Sequence, residues 1–217
     1  METSVVMCTR NRLSDILRFT KSLYLQSELP SEYVIVDSSD KPLEEESEYN
    51  ALIASAPFNV VYRHTAPGLT RQRNVGIKLA TGAIFHFFDD DIVLYPDYLE
   101  IMNATHCDHP EYMGGMGTIV LSPVTFKDKL RIVFAKVFLL LRSHGDGKFY
   151  RSGFPKFPHG NINKLSDTEI LSGGVMSIKR EIFDEFTFDN KLEGYSFLED
   201  VDFSRRVSYK YKLFFNP

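Results

Sequence analysis

Three consecutive carboxylates, Asp89, Asp90 and Asp91, close an otherwise apolar run, "IFHFFDDD". Like charges this close raise one another's pKa unless a cation neutralises them. Hard divalent ions such as Mg²⁺ or Mn²⁺ take oxygen ligands. They are typically held by one or two protein carboxylates and complete their shell with phosphate oxygens of a substrate. Asp89 and Asp91 would point the same way if the backbone stays extended, which makes them the candidate metal pair. The competing reading is an acidic surface turn, since Asp is common where strands end.

Two other segments carry charge in a usable pattern. In "FLEDVDFSRRV" (197–207), a helix would put Leu198, Val201 and Arg205 on one face and Glu199, Asp202 and Arg206 on another, with Asp200 apart near its start. The plain alternative is a solvated helix with ion pairs of little consequence. In "APGLTRQRNVGIKLATG" (66–82), Gly68 precedes a helix whose first turns hold Arg71 and Arg73. Amides and guanidinium groups there could meet an anion, or the segment is an ordinary charged helix. His106, Cys107 and His109 form an HCxH cluster, but no second ligand pair stands at finger-like spacing. Arg151 and Lys156, set among Phe149, Tyr150, Phe154 and Phe157, could form a lid over a charged ligand or part of a half-buried loop.

These clusters need elements that bring them together. "SVVMCT" (4–9) is a short apolar, β-branched run that fits a buried parallel strand. Leu13, Ile16, Leu17, Thr20 and Tyr24 follow at helical spacing. "YVIVD" (33–37) predicts a second strand, "LEEESEYNALIAS" (43–55) a helix with an acidic first turn, and "NVVYR" (59–63) a third strand. A helix over 69–81, ended by Gly82, leads into the fourth strand, 83–88. Four such units imply right-handed crossovers and a mostly parallel sheet flanked by helices. Ligands bind such sheets beyond the carboxyl ends of the strands. Thr9, Arg10 and Asn11 end strand one, Asp37 ends strand two, and the acidic trio ends strand four, so three strand ends serve one crevice.

Beyond Tyr98 the alternation weakens. Gly114, Gly115 and Gly117 open a predicted strand, "TIVLS" (118–122), and an apolar helix follows over 130–142. Residues 143–170 form a Gly- and Pro-rich loop of the length that usually serves function. A strand in "GGVMSIK", a helix near 180–185 and the acidic helix complete the chain. The expectation is one α/β domain over 1–217, with a nucleotide-type half to about residue 100 and an irregular half over about 101–217.

The formal net charge of −4 makes no case for nucleic acid as a partner. Cys8 and Cys107 lie far apart and read as free thiols in a reducing compartment. The N-terminus lacks the pattern of a signal peptide, and no run reaches the length of a spanning helix. The segment 130–142 reads as a core or interface helix. Flanking Lys127, Lys129, Arg131 and Arg142 give it a second reading as a peripheral membrane contact. Neither GxGxxG nor a P-loop is present, which weakens dinucleotide and P-loop readings.

Five segments together, "VVMCTRNR", "YVIVDSSD", "GLTRQRNVGIKLATGAIFHFFDDDI", "LSGGVMSIKREIF" and "GYSFLEDVDFSRRV", carry a resemblance. In order and rough spacing the chain resembles the inverting family-2 glycosyltransferases of GT-A fold. The resemblance implies a Rossmann-like sheet with an acceptor-side half. It implies transfer of a sugar from a nucleotide-diphosphate donor, most readily a UDP-sugar, to a saccharide or lipid-linked acceptor in polysaccharide or glycoconjugate synthesis. Thr9, Arg10 and Asp37 would hold nucleobase and ribose with Arg73 beside them, and Asp90 belongs to the same nucleotide-sugar set. Asp89 and Asp91 match the DxD pair. Asp91 would meet Mn²⁺ or Mg²⁺ most directly, and Asp89 the ribose or metal. Gly173 and Gly174 would let the backbone approach the donor sugar. Asp200 matches the catalytic base, with Glu199 in support. The expected location is cytoplasmic, peripheral to the inner membrane face if 130–142 binds there.

Two departures accompany the resemblance. The QxxRW motif of processive membrane relatives is missing, and so is the His that commonly follows a strand such as "YKLFFNP", so a truncated C-terminus is expected. Other classes compete on single features. "FFDDD" resembles the nucleophile strand of haloacid-dehalogenase phosphatases, though that family places it on the first core strand. A nucleotidyltransferase would want glycine in the loop after strand one, and "CTRNRLSD" has none. A non-catalytic carbohydrate- or nucleotide-binding relative is the third.

Overall fold

The computed structural model describes residues 1–120, 147–149, 153, 155–158, 162–192 and 196–217. The first half builds a parallel layer in the order β3-β2-β1-β4, from β1 (Thr3–Thr9), β2 (Glu32–Asp37), β3 (Asn59–His64) and β4 (Ile84–Asp89). The apolar runs that predict these strands form their buried parts: Val5, Val6, Met7, Tyr33 to Val36, Phe85, Phe87 and Phe88 are all in the core. Helices α1 (Leu13–Tyr24), α2 (Ser47–Ile53) and α3 (Leu69–Leu79) link the strands, and α3 packs on β1 and β2.

The second half adds α4 (Tyr98–Asp108), β5 (Tyr112–Gly117), β8 (Ser166–Thr168), β9 (Val175–Lys179), α5 (Glu199–Ser208) and β10 (Lys212–Asn216). These strands extend the same sheet in the order β4-β9-β5-β10-β8. β9 runs antiparallel to both β4 and β5, β10 is parallel to β5, and β8 is antiparallel to β10. Among the described residues the two halves therefore share one sheet of eight strands, with late β9 inserted beside early β4. A separate ribbon pairs β6 (Lys148–Phe149) with β7 (Pro155–Lys156).

Several expected boundaries move, each for a physical reason. The 43–55 helix is a 3₁₀ turn, Leu43–Glu45, followed by α2, with Glu46 extended between them. Leu43 N donates to Asp37 Oδ2 (2.9 Å) and lies 3.1 Å from the Tyr62 hydroxyl, which pins the first turn to the sheet. Gly82 does not cap α3, because Ala80 is already extended. It passes so close to β1 that a Cβ there would lie 2.8 Å from Ser4 N. The glycines at 114, 115 and 117 do not precede a strand but form one, and residues 118–120 lie outside it. A Cβ at Gly115 would sit 2.3 Å from the Phe214 ring of β10, so the aromatic crossing replaces side chains on β5. The expected helix near 180–185 is a 3₁₀ turn, Arg180–Asp184. The segment 130–142 lies outside the described residues, as do Tyr150, Arg151 and Phe154. Among the described residues no helix is long and apolar enough to cross a membrane.

Candidate functional site

From β1 the chain steps outward to β2 and β3 and then crosses back through α3 to β4 on the other side of β1, so the carboxyl ends of β1 and β4 flank the switch point where α/β sheets bind ligands. β4 ends at Asp89, and the chain turns at once, with Ile92 N donating to Asp89 O (3.4 Å). The extended backbone expected through Asp91 is therefore absent: the trio splits by direction. Asp90 is buried, accepting from Thr9 Oγ1 (2.6 Å) and Arg12 Nη1 (2.9 Å). Asp89 and Asp91 keep side chains 51% and 56% exposed, so these two can meet a ligand. Burial raises the carboxyl pKa of both Asp89 and Asp90. Arg73 opposes the rise at Asp89, against Asp91, Asp90 and Asp200, and the Thr9 and Arg12 bonds oppose it at Asp90.

Arg73 joins the two acidic clusters. It is 3% exposed, its Nη1 donates to Glu199 Oε1 (2.6 Å), and its Nη2 lies 3.7 Å from Asp89 Oδ1. The guanidinium also stands over the Phe188 ring, 5.1 Å from its centroid. Asn74, one residue on, holds Phe188 through both its N–H (3.1 Å) and its carbonyl (2.8 Å). Burial raises the Glu199 carboxyl and Arg73 opposes it, with Asp200 adding to the rise.

The glycine pair fits between these charges because it has no side chains. A Cβ at Gly173 would lie 2.4 Å from Arg73 Nη2, and one at Gly174 would lie 2.9 Å from Asp89 Oδ2. Gly174 O accepts from Asp89 N (3.3 Å), and Gly173 N donates to Asp200 Oδ2 (2.8 Å). Ser204 on α5 receives Leu171 N (3.0 Å), fixing the approach to the pair. Ahead of α5, Ser196 (φ 48°) and Leu198 (φ 66°) lie in the left-handed region, a costly conformation for Leu that commonly marks functional backbone. Asp202 pairs with Arg206 as expected (2.8 Å), whereas Arg205 leaves that helix to bind Glu169 (2.9 Å) beneath the Phe149 ring.

Asp89, Arg73, Gly173, Gly174, Glu199 and Asp200 thus form one contiguous wall. The remaining site candidates are placed less directly. Asp37 is fully buried, and its carboxylate already accepts from Ser39 N, Leu43 N and the Tyr62 hydroxyl. The Thr9 hydroxyl is committed to Asp90, and exposed Arg10 pairs with Asp40 (3.3 Å). Arg71 is exposed while Arg73 is buried, so the two do not converge on one anion; residues two apart on a helix face different ways. Arg12 and Arg18 were not singled out by their sequence pattern, yet both reach the acidic turn, Arg18 through Asp91 O (3.4 Å). Only the register of β1 against β4 brings them there. The Cys8 thiol, on β1 near this wall, is pushed up to about 12 by burial and stays protonated at neutral pH. His106 is buried against Ser177 (2.7 Å) and Cys107 is exposed, so the HCxH residues diverge.

Among the described residues no group of three or more His, Cys, Asp or Glu converges as a metal cage. The donor set is instead two solvent-facing carboxylates. It suits a hard cation whose remaining ligands come from a phosphorylated molecule and water.

A mostly parallel sheet with carboxylates at its switch point, joined on one wall by a second acidic pair beyond an inserted antiparallel strand, is the architecture of GT-A glycosyltransferases. Solved structures bear out that fold. GalNAc-T7, crystallised with UDP, GalNAc and Mn²⁺, superposes over 100% of this chain and 42% of its own, with a TM-score of 0.75 at 16% identity. The mannosyltransferase PcManGT from Pyrobaculum calidifontis, crystallised with GDP-Man and Mn²⁺, superposes over 100% of this chain and 54% of its own (TM-score 0.63, 19% identity). TarS 1–349 from S. aureus does so over 99% and 58% (TM-score 0.64, 17% identity). The chain belongs to glycosyl transferase family 2, whose sequence profile matches residues 4–187. An uncharacterized glycosyltransferase of Bacillus subtilis (strain 168), YwdF, is 29% identical over 102 residues, which are 47% of this chain and 37% of that protein. The chain therefore spans well under two thirds of the length of these relatives.

Proposed function

We propose that this glycosyltransferase moves a sugar from a nucleotide-diphosphate donor, a UDP-sugar, to an acceptor hydroxyl, with inversion at the anomeric carbon and with Mn²⁺ or Mg²⁺ bound. The observation that carries the proposal is the Asp89–Arg73–Glu199 bridge, which sets both acidic clusters on one wall with Gly173 and Gly174 between them. Asp91 and Asp89 would hold the ion, whose positive charge offsets the charge that develops on the departing diphosphate. Two proteins of this fold hold Mn²⁺ with UDP or with GDP-Man, which supports a cation beside a diphosphate here.

The protein's own groups divide the remaining work. Asp200 takes the proton from the acceptor hydroxyl as it attacks, and Gly173 N holds the carboxylate in place through Oδ2. Glu199 turns inward to Arg73 and is a positioning residue. Gly173 and Gly174 leave room for the donor sugar against the backbone. Thr9 and Arg12 orient Asp90, and through it the acidic turn, while Asp37 shapes the loop that borders the nucleotide. With one base and no covalent intermediate, the product carries the opposite anomeric configuration to the donor. The acceptor is a saccharide or lipid-linked saccharide in polysaccharide or glycoconjugate synthesis, reached from the cytoplasmic side.

The test is transfer from a panel of UDP-, GDP- and dTDP-sugars with and without Mn²⁺. Asp200→Asn is expected to lower kcat by 10²-fold or more while nucleotide binding persists. Asp91→Ala is expected to remove metal-dependent nucleotide binding. Normal transfer by Asp200→Asn, or a product retaining the donor's configuration, refutes the mechanism.

A further inference from the structure

Arg12 follows Asn11, whose backbone is left-handed (φ 55°). Three bonds lock that conformation: Asn11 N to Ser39 Oγ (2.7 Å), Asn11 Nδ2 to Asp40 Oδ2 (2.9 Å), and Asp40 N to Asn11 Oδ1 (2.9 Å). The fixed turn sends Arg10 to Asp40 and Arg12 to the end of β4. There one Arg12 nitrogen, Nη1, meets Asp90 Oδ1 (2.9 Å) and Asp91 Oδ2 (3.2 Å). The first carboxylate is a buried anchor, held on its other oxygen by Thr9, and the second is the solvent-facing one assigned to the cation. Among the described residues Arg12 keeps its side chain 48% exposed.

We propose that Arg12 is a resident positive charge that occupies the cation's place at Asp91 until a nucleoside diphosphate arrives, and then releases Asp91 for the diphosphate while keeping its bond to buried Asp90. The inference rests on the metal reading above. A divalent ion approaching alone must displace the guanidinium or sit against its charge. An ion arriving with a diphosphate brings the anion that holds both. Metal and nucleotide binding are then coupled, each strengthening the other by the same factor.

The test measures Mn²⁺ binding by the electron paramagnetic resonance of the free ion, with and without UDP or GDP, for the wild-type chain, Arg12→Gln and Arg12→Lys. The wild type is expected to bind Mn²⁺ weakly alone and much more tightly with nucleotide. Arg12→Gln is expected to bind Mn²⁺ alone about tenfold more tightly, the effect of removing one unit charge a few ångströms from a divalent ion in a water-like dielectric. Arg12→Lys, which keeps the charge, is expected to stay near wild type. Unchanged Mn²⁺ affinity in a folded Arg12→Gln chain, or Lys behaving as Gln does, overturns the inference while leaving the metal site standing. Absence of Mn²⁺ binding by the wild type with every nucleotide removes the metal reading and the inference together. If Arg12→Gln does not fold, the NMR signal of the Arg12 guanidinium in the wild type decides: it is expected to shift when Mg²⁺ and UDP are added together, and an unmoved signal overturns the inference.

Discussion

Replacing Arg73 by Met tests the contact on which the site's geometry depends. The substitution keeps an unbranched apolar stem on α3 but leaves Glu199, 7% exposed, with no cation. Breaking a buried pair by removing one partner costs about 3–5 kcal/mol, because the remaining charge is desolvated and uncompensated. Loss of the cation over the Phe188 ring adds about 1 kcal/mol. Glu199→Gln alone should cost less, since Arg73 retains Asp89 and the amide can still accept a hydrogen bond. In the double variant no buried charge is stranded, so the two losses should fall short of adding by about 2 kcal/mol or more. Urea unfolding of all four proteins at pH 8 measures this cycle.

The pH dependence supplies a second reading of the same prediction. Without Arg73, the folded-state pKa of Glu199 rises further above its unfolded value. The deficit of Arg73→Met is then small at and below the ordinary carboxylate range. It grows as pH rises and levels off above the folded pKa. A deficit below about 1 kcal/mol, strict additivity in the cycle, or a deficit independent of pH would refute the claim that this pair holds the two clusters together.

Gly173→Ala would push a methyl to 2.4 Å from Arg73 Nη2, so loss of transfer with a fall in melting temperature is expected, and wild-type behaviour in both would show that the wall tolerates side chains. Gly115→Ala would drive a methyl into the Phe214 ring, which touches none of the wall residues named above, and is expected to destabilise by about 1–3 kcal/mol in urea while the nucleotide affinity of the folded fraction stays unchanged. Burial lowers the pKa of His86 to about 4 and of His106 to about 3, so both are neutral in the folded state at pH 7. As pH falls from 6.5 toward 4 the unfolded chain takes up protons the fold refuses, and stability is lost. His106→Gln should flatten that slope by about 1 kcal/mol per pH unit on average between pH 7 and 5, approaching about 1.4 at the acid end, measured by denaturation at pH 7, 6 and 5; an unaltered slope would contradict the burial argument.

Much of the first half could be read directly from the residue pattern. Apolar runs such as "YVIVD" lie on strands buried on both faces, a state that local composition specifies. The acid positions followed too, because strand ends face the ligand edge in this class of sheet. Arg12 was missed because it carries no pattern of its own; it acquires a role only when β1 pairs with β4 and the Asn11 turn aims it. The glycines of β5 were misread because glycine commonly marks a turn, and the Phe214 ring that excludes side chains there lies 99 residues further along the chain, at position 214 against 115.

The sequence by itself determined the alternating strands and helices, the family, and which carboxylates stand at strand and helix ends, since these follow from local periodicity and short motifs. Tertiary structure alone decided that β9 enters the sheet beside β4, that Asp90 turns inward while Asp89 and Asp91 face solvent, and that one buried guanidinium joins acids 110 residues apart, from position 89 to 199. Such pairings depend on long-range packing and on the energetic need to neutralise buried charge, and neither is encoded within any short window of residues.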